Sequence, residues 1–189
     1  KFEKEGLVKD ETVHGHVFKV EFIGAKFTDQ SAYGQQPEYY NYFLGRDPSH
    51  WASKVRAYDQ IYYKNIYKNI DAKFYGANGN FKYDLILKPG ADLSGIKLNY
   101  QFTNGVVLVN NKLVVNTSVG QVIENIPEAY QLVNGEKIRV ECNYVVKDNE
   151  VSFVLGEYNK NIELVIDPVV VVASSYSGTQ SIAYGLGVA

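Results

Sequence analysis

The sequence predicts an all-β fold: an antiparallel β-sandwich or two packed sheets of many short strands, with at most one or two short helical turns. Three observations carry this prediction. Apolar side chains alternate with polar ones over short runs, the period of a half-buried strand. Asn-Gly, Asp-Asn and glycine-rich breaks separate those runs at the spacing of tight hairpins. No strand–helix–strand alternation occurs of the kind that builds a parallel sheet. The pattern is clearest from Leu113 to Pro168, where Asn134-Gly135 joins two alternating runs and Pro168 ends the last one.

Along the chain, Val17 to Phe27 sets Phe18, Val20 and Phe22 against Lys19 and Glu21, a strand with one wet face that Gly24 ends. The polar run from Thr28 to Glu38 reads as a loop. Asn41 to Ala52 is a compact unit in which Asp47 caps a helical turn opened by Pro48, and Trp51 then lies back on the sheet as a core plug. The tandem Tyr-Lys-Asn-Ile between Tyr62 and Ile70 imitates a helical stripe. Tyr and Ile favour strands, however, and asparagine disfavours a helix interior, so two strands flank a turn near Asn65 to Asn69, with one helical turn conceded.

Asp71 to Tyr75 and Phe81 to Leu87 form a hairpin around Gly76 to Asn80, and Pro89-Gly90 closes its second strand. Ile96, Leu98, Tyr100 and Phe102 line one face of the next strand. Strands follow at Val107 to Asn110, Leu113 to Thr117, Val122 to Glu124, Tyr130 to Val133, Ile138 to Val146 and Val151 to Leu155. Leu164 to Asp167 is the closing strand, since Pro168 lacks the N–H that a central ladder uses. The organisation expected is a residual N-terminal segment at 1–13, a sandwich-like domain at 14–168, and an exit strand with the start of a linker or further module at 169–189.

The chain has 189 residues, 46% of them hydrophobic, enough for one substantial core. Nineteen Lys and Arg against 21 Asp and Glu give a formal charge of -2, which supplies no basic field for nucleic acid. Cys142 is the single cysteine, so neither a disulfide framework nor a thiolate zinc cluster can form within the chain; alternation with Val140 and Tyr144 makes it a buried structural thiol. The longest apolar stretch, Val169 to Ala173, is too short to span a membrane. With no Met and an interior-looking start at Lys1, the chain reads as a processed or truncated piece.

Candidate chemistry is sparse. Asp71 and Asp84, on the two strands of one hairpin, are the only pair that suggests a general acid and base; alternation instead makes them solvent-side, turn-bonding or lysine-paired carboxylates. Asp47, Asp71, Asp92 and Asp167 are the carboxylates that calcium would recruit, but no dense calcium loop occurs and no cofactor is expected. His14 and His16 supply half a metal site without a partner, and His50 belongs to the Asp-Pro turn. No G-x-S-x-G elbow or phosphate loop is present, and the Gly76 to Gly79 stretch is turn chemistry. Asn116-Thr-Ser matches a generic glycan acceptor. Tyr33, Tyr39, Tyr40 and Tyr42 read first as alternate rings filling the sandwich core; alternatively, with Trp51, they form the one candidate ligand surface, where exposed rings would stack on a sugar or peptide.

Four separated motifs carry a family likeness: Asn41-Tyr-Phe-Leu-Gly-Arg-Asp-Pro-Ser-His-Trp, Tyr67-Lys-Asn-Ile-Asp-Ala-Lys-Phe-Tyr-Gly, Phe81-Lys-Tyr-Asp-Leu-Ile-Leu-Lys-Pro-Gly-Ala-Asp and Leu164-Val-Ile-Asp-Pro-Val. In this order they resemble the uncharacterised β domain (DUF7948-like) found upstream of SBBP-type β-propeller repeats in surface or secreted proteins of bacteria, notably Bacteroidota. The resemblance makes Asp47, Pro48, Trp51, Asp71, Asp84, Pro89, Gly90, Asp167 and Pro168 structural motif residues. It implies an extracellular, non-enzymatic module that positions propeller or adhesion-like domains, with Ser175-Tyr-Ser-Gly opening the first repeat. The resemblance implies that the family's N-terminal unit is absent here or reduced to Lys1 to Leu7; if it has been removed, a cleaved segment or a neighbouring domain is expected to cover an unpaired edge. The expected partners are therefore domains of the same polypeptide, then a surface protein or glycan, without nucleic acid or membrane insertion. A hydrolase using Asp71 and Asp84 is the remote alternative.

Overall fold

The computed structural model describes residues 14–77, 80–168 and 170–171. Fifteen strands are seen there: β1 (Lys19–Phe22), β2 (Asp29–Tyr42), β3 (Ala52–Tyr67), β4 (Ile70–Ala77), β5 (Asn80–Leu87), β6 (Leu98–Gln101), β7 (Val106–Val109), β8 (Lys112–Thr117), β9 (Gly120–Glu124), β10 (Glu128–Val133), β11 (Glu136–Val140), β12 (Cys142–Lys147), β13 (Glu150–Leu155), β14 (Leu164–Asp167) and β15 (Val170–Val171). Two short 3-10 turns, Pro48–His50 and Leu93–Gly95, are the only helical elements among the described residues. None of these is long and apolar enough to cross a membrane. The all-β prediction holds, with a third sheet added to the two expected.

A seven-stranded antiparallel sheet runs in the order β11-β10-β14-β5-β4-β3-β2, beside two four-stranded sheets, β1-β6-β13-β12 and β15-β9-β8-β7. Inward side chains from all three meet in one core, including Ile70, Leu85 and Leu87 of the large sheet, Leu98, Tyr100 and Val151 of the second, and Leu113 and Val115 of the third. Complete burial of such a side chain is worth about 2 kcal/mol, so the core outweighs any single polar contact on the surface. Cys142 is buried between Val140 and Tyr144, as alternation predicts.

Hairpin chemistry follows the turn residues. Asn110-Asn111 and Asn134-Gly135 take positive φ at both positions, the backbone of a two-residue turn that matches strand twist. The expected single strand from Ile138 to Val146 is instead two: β11 belongs to the large sheet and β12 to a small one, with Glu141 at the corner. The turn expected near Asn65 to Asn69 falls at Lys68-Asn69, joining β3 to β4; Asn65 is instead part of an irregularity within β3, Asn65 and Asn69 both adopting positive φ, and no helical turn forms. Phe102 does not continue the buried face of Leu98 and Tyr100; its φ of 62° turns it out, 73% exposed.

The largest correction concerns Thr28 to Glu38. Apart from Thr28 itself it is no loop but most of β2, which pairs with β3 along its length. Residues 1–13, and those after Val171, lie outside the described residues, together with the expectations for a truncated start and a following repeat.

Candidate functional site

The β2–β3 hairpin is longer than the strand it packs beside. β3 pairs with β4 only from Gln60 to Tyr67, so the hairpin beyond Tyr33/Gln60 projects as a two-stranded arm with both faces uncovered. Gly34 makes the projection possible. Its φ is +67°, and a Cβ there would lie 2.7 Å from Asp59 Cγ and 2.8 Å from Asp59 Cβ. The Asp59 carboxylate folds over this glycine and accepts from the Gln36 side-chain amide.

At the tip, Asp47 Oδ1 accepts the Ser49 N–H at 2.9 Å and Pro48 opens the 3-10 turn, as the sequence predicts. The Ser49 N–H, with the Ser49 side chain beside it, holds the Asp47 carboxyl below its usual range. Trp51 departs from expectation. It is 44% exposed, packs edge-on against Phe43 at 5.3 Å and donates its indole N–H to Gly45 O, so it braces the tip rather than plugging the core.

Residues directly opposite in an antiparallel pair share a face, and so do residues two apart. The register Tyr33↔Gln60, Gln35↔Tyr58 and Tyr39↔Arg56 therefore places three tyrosines, two amides and one guanidinium on one face of the arm. Tyr40↔Val55 falls on the other face, which carries on through Ile61 to buried Tyr63 and is thus the core-facing side of the sheet prolonged into solvent. The candidate rings Tyr33, Tyr39, Tyr40 and Tyr42 are exposed at 46–54%, which overturns the expectation that they fill the core. The sequence brings Tyr40 and Tyr42 into one list with Tyr33 and Tyr39, but Tyr40 faces away from that pair. Arg56, Tyr58 and Gln60, all on β3, are the members that spacing along β2 alone did not show.

The outer face of the large sheet holds the second candidate. Asp71 and Asp84 lie on the outer face of its β4 and β5, as alternation predicts, but neither is open to solvent there: both are buried. Lys pairing does hold, Lys88 Nζ standing 2.6 Å from Asp71 and Lys73 Nζ 2.6 Å from Asp84. Tyr62 donates to Asp71 at 2.5 Å, the Asn65 N–H at 2.8 Å, and Tyr75 donates to Asp84 at 2.9 Å. Burial pushes the Asp71 carboxyl up, but the Asn65 N–H, Lys88 and Tyr62 overcome it and hold the group below the usual range. Burial, then the Asp71 carboxylate, raise the Tyr62 hydroxyl. Asp71 is thus a fixed anion, not a proton donor near neutrality.

Asp92 and Asp167, the other two aspartates considered for calcium, are also occupied. Asp167 pairs with Lys82 at 2.8 Å, and Asp92 caps the Leu93–Gly95 turn through the Ser94 N–H at 2.9 Å. The four carboxylates considered for calcium thus sit in four separate settings, and among the described residues no group of three or more His, Cys, Asp or Glu could hold a metal. His14 is exposed; His16 uses its ring nitrogens on Phe102 O at 2.7 Å and Ser118 Oγ at 2.9 Å, tying the strand entering β1 to two turns. Gly90 takes φ +77° in the turn after β5, where Pro89 O accepts from the Asn69 amide.

Sequence reasoning overlooked one titratable group. Glu124 on β9 is buried, accepting from Tyr100 OH at 2.7 Å and Tyr144 OH at 3.3 Å, with Tyr83 OH buried nearby and without a hydrogen-bond partner among the described residues. Burial raises its carboxyl, the two tyrosine hydrogen bonds only partly opposing the shift. The signal available was parity: Glu124 shares a face with Val122 and stands opposite Leu113.

Three antiparallel sheets around one core, structural carboxylates on the outside and an exposed aromatic arm are the marks of an all-β structural or interaction domain. The chain belongs to the family described as domain of unknown function DUF7948, whose family model matches residues 1–169. No curated protein and no solved structure matches it.

Proposed function

We propose that the chain is a non-catalytic structural and interaction module of a larger secreted or cell-surface bacterial protein, and that the core-side face of the β2–β3 arm seats a neighbouring domain. The arm carries the proposal. Beyond Ile61 the inward side of the large sheet is prolonged into the arm by Asp59, which accepts from Gln36, and then by Val55 and Tyr40, whose exposed apolar surface gains by being covered. Phe43 and Leu44, each 64% exposed, add to the tip. The resemblance to domains preceding propeller repeats supports a propeller as the neighbour and the cell exterior as the location. Nothing in the outer carboxylate ladder competes with this role, since Asp71, Asp84 and Asp167 each neutralise a lysine.

Hydrogen–deuterium exchange tests the proposal. Amides of 38–58 should exchange rapidly in the 189-residue chain and be protected at least tenfold in the longer native protein. Equal exchange in both would refute the seating of a neighbour on the arm. Fractionation of the native host with an antibody to the chain tests the location; recovery from the cytoplasm alone would refute it.

A further inference from the structure

The opposite face of the arm has different chemistry. It presents Tyr33, Tyr58 and Tyr39 in turn, the first and last on β2 and the middle one on β3, with Gln60 opposite Tyr33 and Gln35 opposite Tyr58. The three rings are 41–51% exposed. Successive levels lie two residues apart along the strands, roughly 7 Å at a strand's rise, so the rings extend over roughly 14 Å. Two of them are held in place: Tyr58 OH donates to Gln35 Oε1 at 3.4 Å, and the Arg56 guanidinium lies 5.9 Å from the centre of the Tyr39 ring while donating to Pro37 O at 3.0 Å. Such preorganisation lowers the ordering cost of binding.

We infer that this outer face of the arm, Tyr33, Gln35, Tyr39, Tyr58 and Gln60, is a binding strip for an extended, neutral polysaccharide. A flat pyranose presents C–H groups on its faces and hydroxyls at its rim. Phenol rings offer an apolar face to the former, and their hydroxyls and the adjacent amides offer both donors and acceptors to the latter. Charge selects a neutral chain: Arg56 is the one formal charge in these opposed pairs, and it is already engaged by Pro37 O and Tyr39. A peptide adding itself as a strand is disfavoured at the same place, because the free edge is β2, interrupted by Gly34 at positive φ, by Pro37 and by the register shift between Gln35 and Tyr39. Nucleic acid would need a basic field that a chain of net charge -2 does not supply. The strip shares the arm with the neighbour-seating face proposed above but none of its side chains, so neither depends on the other.

Affinity electrophoresis of the 189-residue chain through gels containing hydroxyethylcellulose, galactomannan, xylan or, as the anionic control, alginate tests the inference. At least one neutral polymer should retard the chain. Tyr58→Ala and Tyr33→Ala, made separately, should each weaken retardation at least tenfold while leaving the thermal midpoint within the error of the parent. Tyr40→Ala, on the other face, should leave retardation intact while reducing exchange protection in the longer protein. Retardation by alginate alone, or no retardation by any neutral polymer, would overturn the inference. So would unchanged retardation in both folded outer-face variants, or light scattering showing that a second copy of the chain covers the strip.

Discussion

Glu124→Gln should remove a specific part of the pH dependence of stability. Glu124 lies at the meeting of β9 with Leu113 of β8 and Val170 of β15, and the titratable groups around it are Tyr83, Tyr100 and Tyr144. No cation among these stabilises its charge, so burial keeps the proton on the folded carboxyl to a higher pH than on the unfolded one. For a folded-state shift upward, the stability contribution is complete below the unfolded value near 4.5 and declines as pH rises through the folded value. In that window the native state holds one proton more than the unfolded chain, and stability falls by about 1.4 kcal/mol per pH unit. Asp71 does not mask the effect: its shift is downward, its contribution is complete above the ordinary aspartate range, and it is lost only on acidification. Urea unfolding of both proteins at intervals from about pH 5 to pH 8 measures the slope. The glutamine variant, which keeps an acceptor for Tyr100 and gains a donor toward Tyr144, should give a curve that falls less steeply as pH rises above 4.5, by at most that slope; parallel curves would refute the assignment of a buried, proton-holding Glu124.

Asp71→Ala should destabilise the fold by about 2 kcal/mol, less than the roughly 3–5 kcal/mol of a fully buried pair because Lys88 is 37% exposed, and should weaken acid-induced unfolding; a two-state melt checks both. Gly34→Ala should cost about 2 kcal/mol, from its positive φ and the contact with Asp59, with the loss confined to faster exchange in 35–58 rather than in β4 and β5. Cys142, buried and with its thiol pushed up to about 12, should react with a disulfide reagent on the order of 100-fold more slowly in the native chain than in urea.

The strands bordering the core were legible because one face of each is wet and the other dry. Phe18, Val20 and Phe22, or Leu98 and Tyr100, alternate for that reason. The same rule fails on β2, whose outer half has water on both sides: Gly-Gln-Gln-Pro-Glu carries no alternation because neither face is selected for burial. Its tyrosines misled in the opposite direction, since ring content alone does not reveal whether a second sheet lies across from them. For Asp71 and Asp84, parity assigned the correct face. It did not reveal that the lysine stems and Tyr62 and Tyr75 lie over that face and exclude water. The site is legible only through register, which joins Tyr58 and Gln60 to residues more than twenty positions earlier.

The place of β14 has a consequence for biosynthesis. Leu164–Asp167, late in the chain, sits inside the large sheet, paired on one side with β5 and on the other with β10. Until the ribosome releases that segment, the nascent hairpins β2–β5 and β10–β11 are separate sheets with bare inner edges, and only the last insertion welds them together. Such late, non-local closure makes folding slow and leaves the growing chain dependent on protection from stray strand pairing. The same four residues then act as the keystone of the large sheet, with the β15–β9 pair standing between them and any pull from the downstream side.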